Sequence, residues 1–203
     1  MTPAEAAAVR PRIEGDREQE ILDAALEVLA EVGYDRLTMD AVAQRAKASK
    51  ATLYRRWSSK ARLVVEALAR HKEIPEIPDT GDLRTDLMTA FCGMGGLTDH
   101  DTTATFGAVI TAVSTDPEFA AEFREQVVGP KARVSRTVFE RARDRGDLRP
   151  DLDLDIVVPA LAGIVLHRVF VLGEQPDAAL IERAIDQIIL PAVRPQGADP
   201  STK

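Results

Sequence analysis

The chain has 203 residues, 45% hydrophobic but only 4% aromatic, with a formal charge of −7 and a pI near 5.1. That length holds one large domain or two small ones, and a single cysteine, Cys92, excludes a disulfide framework and fits a reducing compartment. No signal-peptide pattern opens the sequence, and its longest apolar stretch, Ile156 to Leu166, falls short of the roughly 20 residues a membrane span needs, so a cytoplasmic protein without a membrane partner is predicted.

The acidic average conceals a segregated charge. Between Arg36 and Lys72 stand ten basic residues against two acids, Asp40 and Glu66, so this segment carries +8 and the other 166 residues carry −15. Such a split predicts a polyanion-binding module joined to an acidic one. The apolar residues are mostly Ala, Leu, Val and Ile at helical spacing, which predicts an all-α protein of about nine helices.

Residues 1–15 read as a disordered arm, with Arg10, Arg12 and nearby Arg17 positioned to reach a phosphate or a minor groove. A first helix is expected from Asp16, as N-cap, to Val32, with Ile21, Leu22, Ala25, Leu26 and Leu29 on one face and Gly33 closing it. Thr38 caps a second helix over Met39–Ala46, Lys47 and Ala48 turn, and Ser49 caps a third that ends near Trp57. A fourth starts at Ser58 or Ser59, runs to about Lys72 and buries Leu63, Val64, Ala67 and Leu68. Helices two and three are too short to stand alone and need helices one and four as a floor. Residues 16–73 are therefore read as one N-terminal unit.

Pro75, Pro78 and Gly81 interrupt the pattern, so 74–81 is read as a linker. Residues 82–194 read as a larger helical bundle. Its helices are expected near 82–94, 102–115, 117–144 with a kink at Gly129-Pro130, 154–172 and 177–193. Residues 195–203 read as a frayed tail.

Residues 38–60 meet the requirements of a helix that enters a major groove: a support helix, a sharp turn, and exposed donors on a capped second helix. Hydroxyls at Thr38 and Ser49 sit where helix N-termini hold phosphate oxygens. The stretch resembles the helix-turn-helix of the TetR family of transcriptional regulators. The likeness rests on Thr38, the alanines Ala41, Ala43 and Ala46, the T-L-Y of Thr52, Leu53 and Tyr54, then Trp57 and the S-K of Ser59 and Lys60. Helix one, ending E-V-G-Y, matches as well; the specific likeness covers roughly residues 17–70.

That resemblance implies DNA contact for Thr38, Ser49, Lys50, Thr52, Tyr54 and Lys60, with Ala51 against the groove; Arg55 and Arg56 are added on charge and position. Leu53 and Trp57 are expected in the core. The chain departs from the family at Lys47, where glycine is usual, and at Arg56, where histidine is frequent. Either Lys47 takes a left-handed conformation, at about 1 kcal/mol for a residue with a Cβ, or the turn differs slightly.

The family's C-terminal domain binds a ligand and pairs two chains. Surplus apolar surface supports pairing here: Ile156, Val157, Ala160, Leu161 and Ile164, with Ile181, Ile185 and Ile188, are the expected interface. The expected ligand pocket draws on Phe91, Met94, Phe106, Ile110, Phe139 and His167, each of which also suits an ordinary core. His167 either anchors a ligand or lies in the interface. With few charges among these residues, a largely apolar effector is expected.

His71, His100 and His167 are scattered, and no catalytic, nucleotide, metal or cofactor motif accompanies them. The predicted protein is thus a homodimeric DNA-binding repressor, with neither enzymatic activity nor cofactor, on a palindromic double-stranded operator. A small-molecule effector releases it. The alternatives are a helical small-molecule binder or enzyme without DNA function, and an activator using the same helices.

Overall fold

A computed structural model describes residues 14–70, 76–93, 100–174 and 177–195. Expectations for Arg10, Arg12, His71, Met94, nearly all of the 1–15 arm, the side chain of His100 and residues 196–203 fall outside the described residues. The described elements are all helical: α1 (Glu14–Arg36), α2 (Met39–Arg45), α3 (Lys50–Arg56), α4 (Lys60–Arg70), α5 (Leu83–Gly93) and α6 (His100–Thr115). Then come α7 (117–144), α8 (Leu154–Val157 bending at Pro159 into Ala160–Phe170) and α9 (178–193). Among the described residues these make nine helices and no strand.

Local chemistry accounts for most boundaries. Helix α1 begins at Glu14, so Asp16 lies in its first turn instead of capping it, where its charge still suits the helix dipole. Gly33 ends the regular part at φ 76, ψ 167, backbone that only a residue without Cβ adopts freely. Thr38 and Ser49 cap α2 and α3 by accepting from Ala41 N and Thr52 N, both at 3.1 Å. Asp116 caps α7 and is followed by Pro117 at the first helical position.

Two prolines inside helices are accommodated by widening the turn ahead of them. A proline ring clashes with the carbonyl four residues back and offers no N–H. Ahead of Pro130, the Gly129 N–H bonds back to Arg124 O across the π turn Arg124–Val128. Ahead of Pro191, Leu190 N–H does the same to Ile185 O across Ile185–Ile189. The expected kink at Gly129-Pro130 is therefore a π turn through which α7 continues. Glycine fits there, because a Cβ on Gly129 would come 3.1 Å from Arg124 O.

Two cores hold the molecule. The first packs Ile21, Leu22, Ala25 and Leu29 of α1 with Val42, Leu53, Trp57, Leu63 and Val64, and it extends to Val109 and Ala112 of α6 and Phe119 of α7. The second joins Leu83 and Leu87 of α5, Val138, Phe139 and Ala142 of α7, and the inner faces of α8 and α9. Helices α1–α4 are thus continuous, through apolar packing, with α6 and α7.

The linker itself is stitched down. Arg141 donates to Pro78 O at 3.1 Å, and the buried carboxylate of Asp86 accepts from Thr80 N at 2.8 Å and its hydroxyl at 2.7 Å. One expectation for α8 and α9 is corrected. Leu161, Ile181 and Ile185 are 3%, 5% and 0% exposed within one chain. They belong to the second core, because a helix buries its own-chain stripe first and leaves only the residues beside it to a partner.

Candidate nucleic-acid interface

Helices α2 and α3 present one exposed front. Thr38, Asp40, Ser49, Lys50, Ala51, Tyr54, Arg55 and Arg56 are exposed and Thr52 is half-buried, while Leu53 and Trp57 are fully in the core. Ser49 and Thr52 hydroxyls lie 2.8 Å apart, so the first turn of α3 is held from inside by the same groups that face outward. Between the helices Lys47 stands at φ 50, with no other non-glycine residue at positive φ among the described residues. Of the two alternatives for this position, the left-handed conformation is the one present. Arg17 supports it by donating to Lys47 O at 2.8 Å and pairing with Glu20, so this arginine braces the turn.

Few of the segment's cations are free. Arg45 binds Glu27 and Glu31 of α1 at 3.0 and 2.5 Å. Those contacts, Glu31 first, push its guanidinium further above its ordinary value. Arg56 reaches back to Glu18 at 2.8 Å and Glu66 at 2.9 Å, and Arg70 binds the same two carboxylates at 3.0 and 2.9 Å. The Arg56 bond, then the Arg70 bond, hold Glu18 below the usual carboxylate range despite some opposing desolvation. Glu66 also accepts from Trp57 Nε1 at 2.8 Å, so this ion cluster orients the core tryptophan. Lys50 pairs with Asp40 at 2.5 Å. Arg55 and Lys47 have no side-chain partner among the described residues.

Lys60, expected to contact DNA, donates to Tyr34 O at 2.9 Å and Leu37 O at 3.4 Å, with its ammonium 4.3 Å from the Tyr34 ring centre. It closes the C-terminal end of α1.

Lys60 belongs to a joint that sequence reasoning did not find. The Tyr34 hydroxyl donates to Asp116 Oδ2 at 2.6 Å, and its ring meets Phe119 edge-on at 4.8 Å. Burial, then the Asp116 bond, push the Tyr34 phenol well above its ordinary value. The same bond, with the Phe119 N–H, holds Asp116 below the usual carboxylate range. Beside it Ser59 donates to Glu118 at 2.8 Å and Arg62 to Glu122 at 3.0 Å, bolting the start of α4 to α7. The Asp116-Pro117 cap was legible; its pairing with a tyrosine 82 positions earlier was not.

Residues 21–67 match the family model described as bacterial regulatory proteins, tetR family, and residues 77–188 match the Tetracyclin repressor-like C-terminal domain. The chain belongs to the TetR family. It is 35% identical over 181 residues to an uncharacterized HTH-type transcriptional regulator of Mycobacterium tuberculosis, covering 87% of this chain and 88% of that one. It is 34% identical over 181 residues to a DNA-binding transcriptional repressor of Mycobacteroides abscessus, covering 88% and 95%. Among solved structures, the TetR-family regulator SCO0332 superposes with a TM-score of 0.64 at 29% identity, over 89% of this chain and 100% of that one. As a TetR-family member the protein is a DNA-binding transcriptional regulator, and α2 and α3 are its helix-turn-helix.

The candidate effector residues are not drawn together in the same way. Phe139 is sealed in the second core, against which Phe91 packs from outside. Phe106 stacks on Phe170 at 5.4 Å, bridging α6 and α8. Ile110 is 43% exposed and His167 is exposed, so neither faces the interior. A cleft of about 490 Å³ opens elsewhere, between the end of α1 and Gly107, Ala108 and Thr111 of α6. No metal-binding cluster occurs among the described residues, and no described helix is long and apolar enough to cross a membrane.

Proposed function

We propose that the protein is a homodimeric repressor that binds a palindromic operator and leaves it when a small, largely apolar effector enters the C-terminal bundle. The observation that carries this reading is the joint of Tyr34, Asp116, Ser59, Glu118, Arg62 and Glu122. It ties both ends of the reading head to the α6–α7 corner. A shift of that corner moves α1 and α4 as a unit, and so changes the separation of two heads across a dimer axis. Release then requires only that the effector bind the shifted state more tightly.

On this reading Thr38, Ser49, Lys50, Ala51, Thr52, Tyr54 and Arg55 meet the DNA. Arg56 and Lys60 brace the head and each keep a donor for a phosphate. The second chain docks on the outer faces of α8 and α9, where Ile156 and Ile188 are 70% and 51% exposed beside half-buried Val157, Ala160 and Ile164. The relative named a repressor supports the direction of control. A gel shift on the DNA upstream of its own gene tests the reading: a discrete complex that outcompetes random DNA is expected, and equal binding to both sinks it.

A further inference from the structure

We propose that Asp40 is a specificity-determining residue of the reading head. It holds the Lys50 ammonium across the first turns of α2 and α3, so the lysine addresses a base edge from one position instead of settling on the nearest phosphate. The inference rests on the DNA-binding reading above.

Asp40 is the second residue of α2 and Lys50 the first of α3. Each follows its helix's hydroxyl cap closely, so the pair bridges the first turns of the two helices. Its Nζ–Oδ2 distance is 2.5 Å, with the two side chains 65% and 54% exposed. An ion pair so open to water adds little to the stability of a fold, so folding alone gives it little reason to exist. The segment's other acid, Glu66, is fully engaged by Arg56, Arg70 and Trp57. Asp40 is therefore the acid left on a surface that must approach a polyanion, and it faces the lysine best placed to read a base. A free lysine is a mobile point charge with no preference among phosphates. Tethered by a carboxylate, it is directed at acceptors within a small arc, such as guanine O6 and N7.

An acid in the first turn also suits the helix dipole, a role that acts on stability alone, so the test reads specificity. The full-length protein first selects its operator from a random duplex library. Affinities for that operator and a scrambled duplex are then measured near 0.1 M salt for wild type, Asp40→Asn, Asp40→Glu, Lys50→Ala and the Asp40→Asn/Lys50→Ala double variant. In the homodimer, loss of the acid from both heads amounts to two further effective phosphate contacts. Asp40→Asn is therefore expected to bind scrambled DNA about sixtyfold tighter, with a log–log salt slope steeper by about 1.8. The operator gains nothing, so the operator-to-scrambled ratio falls about sixtyfold. Asp40→Glu keeps the ratio, and in the Lys50→Ala background Asp40→Asn leaves it unchanged. Equal tightening on both duplexes in the wild-type background overturns the proposal, as does an unchanged ratio with only the melting temperature moved. If wild type selects no operator, the DNA-binding reading fails instead.

Discussion

Replacing Tyr34 by Phe tests the joint between the reading head and the rest of the chain. The substitution keeps the buried ring, its edge-on contact with Phe119 and the Lys60 ammonium over its face, and it opens no cavity. It removes one O–H···O⁻ bond of 2.6 Å from a tyrosine that is 3% exposed. A hydrogen bond to a charged acceptor contributes about 1.5–3 kcal/mol. Asp116 is only half-buried and keeps its bond to Phe119 N, so water replaces part of the loss and about 2 kcal/mol is expected. For a chain of this size that lowers Tm by about 4–8 °C.

The bond also leaves a pH signature. Asp116 is held below its ordinary value, first by Tyr34. Its contribution is therefore complete above the unfolded carboxylate value, about pH 4, and is lost as pH falls through the lower folded value. Tyr34→Phe should accordingly lose less stability than wild type between about pH 4 and pH 2. Urea titrations of both proteins across that range measure it. A difference below about 0.5 kcal/mol at neutral pH, with parallel acid limbs, would refute the reasoning and reduce the joint to a surface contact.

Three further outcomes are expected. Lys47→Gly relieves about 1–2 kcal/mol of left-handed strain but loosens the unfolded chain by about 0.5–1 kcal/mol, so urea unfolding should show a net gain of up to about 1.5 kcal/mol. No gain, or a loss, would show that the bond from Arg17 to Lys47 O already compensates the strain. Glu66→Gln leaves the Arg56 and Arg70 guanidinium groups against a neutral amide and should destabilise by about 1.5–3 kcal/mol. Trp57 is the chain's single tryptophan, so a shifted emission maximum reports the change directly, and an unmoved spectrum and Tm count against the cluster. Ile156→Asp, at a site 70% exposed in one chain, should leave the monomer fold intact while a sedimentation profile moves from dimer to monomer; an unaltered dimer places the interface elsewhere.

Local features were legible wherever a residue's own chemistry decides its conformation. Thr38, Ser49 and Asp116 are caps because a short side-chain oxygen satisfies N–H groups two or three positions on. Of the two conformations open to Lys47 from the sequence, the left-handed one is present at φ 50, because a tight turn there needs a left-handed residue. Helical periodicity likewise marked the apolar faces, and the charge split between Arg36 and Lys72 marked the polyanion-binding segment. Periodicity does not say which neighbour a face meets. Leu161, Ile181 and Ile185 are as apolar as Ile156 and Ile188, yet the first three close their own core and the last two face outward. Nor does a count of charges show which are already paired. Arg45 counts among the segment's ten basic residues, and Arg56 and Lys60 are expected at DNA. Only folding brings Glu27, Glu18 and the carbonyl of Tyr34 to them from another helix. The caps, the turn and the helix-turn-helix itself are thus properties of the sequence, because the groups involved are covalent near-neighbours. The free front of Lys47 and Arg55, and the Tyr34–Asp116 joint behind it, depend on contacts between residues far apart in the chain, which only the packed tertiary structure brings together.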